Sequence, residues 1–437
     1  MTSKPTLIIY GATSFTARNL LSYLDTHSEG DSFEFILSGR NQQKLEIANG
    51  KLQRPREVVV CQLNDEDDVK KLVEKGQVVV NLAGPFRWHN AEALIRHVQS
   101  RHHVHRKCCR TGKHYIDLCG ESSWLATDII PKYDSLAKET GAIIVPSCGF
   151  DSIPSDLSLW LAHKTLQSQY PDLTIQESTS FFKMKGGSMS GGTIQSMHSL
   201  AELPKDKRRS GEYDCIPQDG TIVKTVSPVK LLYSLSDPTE KRKTRYGSFF
   251  FMYPYNRTIV RRSQYLSTTG AGIRYGEKMT YAESMDIGRG WIGSTIFSLV
   301  LSISFGLFFL SSFVRRLSNY VLPKAGEGVT DEKLFKASYV VDNLSISTPS
   351  TDGKNVKVWT KFKAEGDPGY LSTCYLLAES GLSILLNLQF LPPITKQGGL
   401  LTPSIAFGDI LLDRLNRSGQ FQVTSEIVDT SGNRKID

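Results

Sequence analysis

The residues best suited to chemistry in this chain sit at the ends of short apolar runs in its first third. The run TLIIY is followed at once by GATSFTA, residues 11–17, and then by Leu20, Leu21 and Leu24 at helical spacing. A dinucleotide pyrophosphate needs a glycine for a sharp turn, a small residue for close helix–strand packing, and a helix N-terminus between them. Gly11 and Ala17 fill the outer roles. Ser14 stands where a middle glycine would let the backbone approach phosphate, and its hydroxyl either crowds the phosphates or donates to them. Thr13, Phe15 and Thr16 complete the turn, so Gly11, Thr13, Ser14, Phe15 and Thr16 form the first candidate cofactor-binding group.

The next apolar run ends SGRN, with Arg40 where an NAD-selective site carries a carboxylate for the ribose hydroxyls. A guanidinium suits a 2′-phosphate by charge and bidentate geometry, so the expected cofactor is NADP; the plainer reading is a surface arginine at a helix start. Gly84 and Pro85, in NLAGPF, shape a tight loop where a nicotinamide ring would lie. HYIDLCGE places Asp117, Gly120 and Glu121 at the end of a further run. SCGFDSIPSDL follows the last one, with Asp151 as the candidate catalytic residue for orienting a substrate or moving a proton. For Asp151 and Asp156 the competing reading is N-capping of a helix over 155–166. His97, His102, His103, His105, Cys108, Cys109 and His114 are the densest potential ligands, yet their spacing fits no structural zinc pattern and no metal is expected.

Elements in a regular alternation must position these residues. Six runs (TLIIYG, FEFILSG, EVVVCQL, QVVVNLAG, HYIDLCG and AIIVPSCG) alternate with amphipathic stretches, the βαβ rhythm of a parallel sheet whose carboxyl-end loops converge on one site. The fold class is therefore α/β: an N-terminal Rossmann doubly wound parallel sheet over residues 1–168. A mixed α+β substrate or dimerisation domain over 169–393 follows, with the strand-like runs TIQESTSFF, KLLYSLS and VKVWTKFKAEG. Residues 394–437 hold a helix with Ile405, Phe407, Ile410, Leu411, Leu412 and Leu415 at helical spacing, then the strand FQVTSEI, expected to pack back on the first domain.

The 437 residues exceed one ordinary core, and 52 basic against 44 acidic side chains give a net charge of only +8. That modest excess points away from nucleic acid as a partner. Seven cysteines at irregular spacing fit a reducing compartment, so Cys61, Cys119, Cys148, Cys215 and Cys374 read as thiols. The N-terminus runs directly into a strand without a signal-peptide pattern. One stretch, residues 292–314, is uncharged over its whole length and is followed by Arg315 and Arg316. As a helix it would reach about 34 Å, enough for a bilayer core of about 30 Å. Its six serines and the need to keep both ends of the chain in one compartment favour a helix that dips into one leaflet or a lipid-droplet monolayer, with both arginines at the head groups. A buried core helix is the alternative.

With these motifs in order, the chain resembles the saccharopine dehydrogenase-like oxidoreductases, relatives of saccharopine reductase and of the bacterial trans-acting enoyl reductases. The resemblance rests on GATSFTA, SGRNQQKL, NLAGPF, HYIDLCGE and GFDSIPSDL, continues through Arg261, Arg262 and FGLFFLSSFV, and closes with GYLST and GGLLTPSIAFGDILLDRL. It covers nearly the whole chain. Ser14 and Ala17 depart from glycines usual in the family, and residues 97–106 look like an insertion. The resemblance implies a Rossmann domain with an interrupted substrate domain, pyridine-nucleotide reduction, and association with lipid droplets and membranes; the enoyl reductase relatives act in glycolipid synthesis.

The expected function is NADP-dependent reduction of a lipid-like or other small-molecule substrate at the cytosolic face of a lipid droplet or intracellular membrane. A homodimer is left open. The competing reading is a membrane-associated protein whose Rossmann domain binds nucleotide without catalysis.

Overall fold

The computed structural model describes residues 4–99, 113–187, 191–209, 211–238, 243–268, 270, 273, 275–321 and 330–428. His102, His103, His105, Cys108 and Cys109 lie outside them.

All six expected N-terminal runs are strands: β1 (Thr6–Tyr10), β2 (Glu34–Gly39), β3 (Val58–Val60), β4 (Val78–Asn81), β5 (His114–Asp117) and β6 (Ile143–Val145). They pair in parallel in the order β6-β5-β4-β1-β2-β3. Their crossovers are α1 (Phe15–Asp25), α2 (Gln42–Asn49), α3 (Glu66–Glu74), α4 (Glu92–Val98), and the pair α5 (Ser122–Trp124) and α6 (Ile130–Thr140). The strands read as unbroken apolar runs because both faces are covered. Leu7, Ile9, Val78 and Val80 enter one core, while Ile8, Tyr10 and Val79 enter the other.

After α7 (Ile153–Gln169) the chain builds a second seven-stranded sheet, ordered β14-β12-β11-β7-β10-β9-β8. Its strands are β7 (Ile175–Lys185), β8 (Tyr233–Ser236), β9 (Thr244–Phe249), β10 (Thr280–Met285), β11 (Ser338–Pro349), β12 (Asn355–Glu365) and β14 (Phe421–Val428). Only β7 and β10 pair in parallel, so the sheet is mixed. The helices α8 (Gly191–Ala201), α9 (Tyr253–Thr268), α10 (Gly290–Leu310), α11 (Ser312–Val321) and α12 (Asp331–Lys336) belong to this half.

Two C-terminal elements depart from the sequence reading. Helix α13 (Thr373–Asn387), inside the range assigned to the second domain, packs on the first sheet: a Cβ at Gly381 would meet Ile116, Val80 and Leu7 at 3.3 to 3.6 Å. After α14 (Pro393–Lys396), the two-residue β13 (Gly399–Leu400) extends the parallel sheet beside β6. Helix α15 (Pro403–Arg417) buries Ile405, Phe407, Leu411 and Leu415 as its spacing predicts. The final strand, expected on the first domain, instead pairs with β12 from Lys357↔Val428 to Ala364↔Phe421. The five described cysteines are buried free thiols.

Candidate functional site

The loops at the carboxyl ends of β1, β4, β5 and β6 meet at a cavity of about 1200 Å³, larger than the few hundred to about 1000 Å³ of a single drug-sized ligand site. Its first wall is the turn before α1. Gly11 has φ +80°, and a Cβ there would lie 2.8 Å from the Ala83 backbone nitrogen, so only glycine lets β1 and β4 end side by side. Ser14 is the N-cap of α1: its Oγ accepts from the Ala17 N–H at 3.1 Å. The hydroxyl replacing the middle glycine thus caps the helix, and its own hydrogen stays free to donate toward the cavity. Ala17 is fully buried, as close helix–strand packing requires. Thr13, Ser14, Phe15 and Thr16 all line the cavity.

A second wall forms where β4, β5 and β6 end. Asp117 is fully buried and accepts from the Cys119 N–H at 2.8 Å, the Ser147 N–H at 3.0 Å and the Tyr115 hydroxyl at 2.9 Å. It thereby ties the β5 loop to the β6 loop, and burial outweighs these bonds to push its carboxyl up to about 6. Glu121 accepts from the Phe86 N–H at 2.7 Å and the Arg87 N–H at 3.4 Å, and burial pushes it up to about 7. These bonds fix the loop containing the cis Gly84–Pro85 peptide. Gly84 lines the cavity; Gly11 and Pro85 shape its edge from outside the lining.

Asp151 also lines this cavity, half-buried, with no hydrogen-bond partner among the described residues. Burial alone raises its carboxyl to about 6. Nearby, Ser147 holds a left-handed backbone (φ +66°), uncommon for a residue with a side chain. Its hydroxyl donates to the Cys119 carbonyl at 2.9 Å and touches the Tyr255 hydroxyl, which donates to the same carbonyl at 2.5 Å. Tyr255 from α9 and Ser147 both line the cavity and were not picked out in the sequence; no motif marks MYPYN. Burial raises the Cys119 and Cys148 thiols well above their ordinary range, which leaves them neutral and poor nucleophiles.

The other end of the cavity reaches between α1 and α2, where Lys44 and Lys51 line it. Arg40 is exposed just ahead of α2, outside the lining. Lys44, on α2, lies within SGRNQQKL but was not picked out in the sequence as a residue of the site.

Asp156 belongs to the framework. Its Oδ2 accepts from the Ser404 N–H at 2.8 Å and its Oδ1 from the Ser263 hydroxyl at 2.5 Å. It therefore caps α15, rather than α7, and joins the GFDSIPSD segment to GGLLTPS. Helix α7 starts at Ile153, two residues earlier than expected, and its N-cap Ser152 makes no side-chain cap bond. Arg261, fully buried, holds Glu212 at 3.0 Å, and Arg262 donates to the Leu400 carbonyl. Of the histidine group, His97 contacts the Ala93 carbonyl and Glu66, and His114 accepts from the Ile143 N–H. No metal-ligand cluster occurs among the described residues.

The parallel sheet, the Gly11 turn and the large cavity at the strand ends would suit a pyridine dinucleotide. Fold and site define an NAD(P)-dependent oxidoreductase. No family model matches the chain. A Mycobacterium tuberculosis protein provisionally named a trans-acting enoyl reductase is 30% identical over 440 residues, covering 94% of this chain and 96% of the relative. A trans-acting enoyl reductase of Mycobacterium ulcerans is 26% identical over 431 residues, covering 94% of this chain and 96% of its own. Among solved structures, apo saccharopine dehydrogenase (L-Glu forming) from Saccharomyces cerevisiae shares the fold, with a TM-score of 0.52 at 12% identity over 97% of this chain and 100% of that one. The chain belongs to the trans-acting enoyl reductase family and shares the fold of saccharopine dehydrogenase.

Proposed function

We propose that this protein is an NADP-dependent reductase of a lipid-like substrate, working at the cytosolic face of a lipid droplet or intracellular membrane. The single observation that carries this reading is the continuity of one cavity from the Thr13–Ser14 turn, past Gly84 and Asp151, to Phe305 and Phe309 of the apolar helix α10. Thr13, Ser14, Phe15 and Thr16 would hold the pyrophosphate, with Arg40 and Lys44 toward a 2′-phosphate and Gly84 beside the nicotinamide. The bound nicotinamide would supply hydride. The chain's own part is to exclude water, to hold a substrate carbonyl between Gly84 and Asp151 in the cavity, and to deliver a proton from Asp151, the Ser147 and Tyr255 hydroxyls being committed to the Cys119 carbonyl. Burial keeps that carboxyl protonated to higher pH than an ordinary aspartate, as a general acid needs. The enoyl reductase names of the relatives favour a double bond conjugated to that carbonyl.

The membrane part of the reading is supported by α10 and α11. Twelve large apolar side chains between Trp291 and Tyr320 are exposed, and only Ser294, Ser298 and Phe308 of α10 are buried. Such a patch exceeds what a soluble surface ordinarily shows. The Arg315 guanidinium donates to the Phe308 and Phe309 carbonyls, ending α10, while Arg316 is exposed for head groups. Native mass spectrometry of protein purified without detergent tests the assignment. Co-purifying NADP(H) together with an acyl lipid is expected; an apo protein with neither overturns it.

A further inference from the structure

Four cations line the large cavity, Arg18, Lys44, Lys51 and Arg209, against two carboxylates, Asp25 and Asp151. Arg18 is paired with Asp331, and Asp25 with Arg56 at 3.3 Å. Lys44 and Lys51 belong to α2 and the residues just after it, at the end of the cavity assigned above to the adenosine half of the cofactor. Arg209 stands elsewhere. Its backbone N–H donates to the Ser123 hydroxyl at 2.9 Å, and that hydroxyl donates back to the Arg209 carbonyl at 3.1 Å. Ser123 lies in α5, which follows β5, and β5 is three places from β2 in the sheet. At the usual strand spacing that is a separation of about 14 Å. Two residues before Ser123, Glu121 holds the N–H groups of Phe86 and Arg87 beside the Gly84–Pro85 peptide. Arg209 is therefore at the reacting end of the cavity, across from the lysines.

The backbone that carries Arg209 is fixed. Arg208 donates to the Ala201 carbonyl at 2.6 Å and to the Leu203 carbonyl at 2.8 Å, tying this segment to the end of α8, and Ser123 grips the next residue on both its N–H and its carbonyl. The Arg209 guanidinium, by contrast, is exposed and has no hydrogen bond or ion pair among the described residues. A rigid base under a free guanidinium suits an oxyanion that arrives from outside the chain, because the planar fork of N–H donors matches carboxylate and phosphate alike. The cofactor does not supply that anion: a dinucleotide laid from Lys44 to Gly84 has its phosphates on the α1 and α2 side. Beyond Arg209 the cavity turns apolar, with Leu200, Phe251, Phe305 and Phe309 in its wall.

We propose that Arg209 holds an oxyanion head group on the substrate, so that the substrate class is an anionic long-chain amphiphile, a carboxylate or a phosphate, with its tail against Phe251, Phe305 and Phe309. This rests on the reading of the cavity as the site of a lipid-like substrate. Arg209 is then a specificity-determining residue: it selects the charged member of a pair of amphiphiles of equal tail, and it fixes which end of the molecule lies beside Gly84 and Asp151.

Isothermal titration of the full chain with saturating NADPH tests the assignment, using dodecanoate, dodecyl phosphate and dodecanol, each below its micelle concentration. The wild type is expected to bind at least one of the two anions about tenfold or more tighter than dodecanol, and whichever anion binds tighter identifies the head group as carboxylate or phosphate. Arg209→Ala should bind all three as weakly as the wild type binds dodecanol, with NADPH affinity and melting temperature unchanged, since its backbone bonds to Ser123 remain. Arg209→Lys should restore most of the preference. Lys44→Ala should keep the preference while weakening NADPH. Equal binding of anions and dodecanol by the wild type overturns the inference and leaves the lipid-like substrate standing, as does an anion preference that survives Arg209→Ala. A loss of NADPH affinity in Arg209→Ala with the preference intact overturns it in favour of a cofactor contact. Binding of none of the three by the wild type overturns the lipid-like substrate and the inference with it.

Discussion

Replacing Asp151 by Asn keeps the shape of the side chain and removes its proton site. Burial alone raises the native carboxyl to about 6 from an ordinary 3.8, so the folded state holds that proton more tightly than the unfolded chain. The sign follows from linkage: below the unfolded value the group costs nothing. As pH rises toward the native value, ionising it in the cavity becomes a growing penalty, constant above about pH 6. At about 1.4 kcal/mol per pH unit the ceiling is about 3 kcal/mol, and the part of the side chain open to the cavity lowers it. Asp151→Asn should therefore be more stable than the wild type by about 1–3 kcal/mol at pH 8 and equal to it at pH 4. Its turnover, with a substrate the wild type reduces, should fall about a hundredfold or more, because the amide gives up no proton. Urea unfolding at the two pH values reads the first effect. No gain at pH 8, or the same gain at both, would refute the argument that burial holds this carboxyl neutral, and with it the role as proton donor.

Gly11→Ala forces a Cβ onto the Ala83 backbone from a left-handed residue. A stability loss of at least about 1–2 kcal/mol is expected in urea unfolding, with NADPH binding weakened, and unchanged values for both would contradict the cradle. Asp156→Ala strips the buried Ser404 N–H of its acceptor, at about 1–3 kcal/mol of stability, while NADPH affinity, read by fluorescence titration, should hold within about twofold. A large loss of affinity at unchanged stability would move Asp156 from framework to site.

The parallel sheet was legible because β1, β4 and β6 are covered on both faces and read as aliphatic runs, and because each strand leads into a loop of glycine or small residues before the next helix. Gly11 and Ala17 were legible for the same reason, since their sizes are set by contacts within one βαβ unit. Helix α13 was not. Buried on nearly every side, TCYLLAESGLSILLN has no polar stripe to show which sheet it faces, and its partners Leu7, Val80 and Ile116 lie more than 250 residues earlier. Asp156 read as a helix cap because that is the local use of an aspartate near a helix start; its true partners, Ser263 and Ser404, are visible only once the chain is folded. Tyr255 and Ser147 meet across 108 positions, and neither carries a pattern of its own. The charge-free stretch at 292–314 was legible as apolar and helical, but not that it breaks at Ser311 into α10 and α11, nor that Phe305 and Phe309 would turn inward to the cavity.

The central claim is most directly tested by titrating the purified chain with NADPH and with NADH, following nicotinamide fluorescence and thermal stability, for the wild type and for Arg40→Ala. The wild type should bind NADPH at micromolar concentration and at least about tenfold more tightly than NADH, and Arg40→Ala should lose most of that preference. An absence of both fluorescence change and thermal stabilisation at millimolar NADPH would contradict it and leave a membrane-associated Rossmann protein that does not reduce anything.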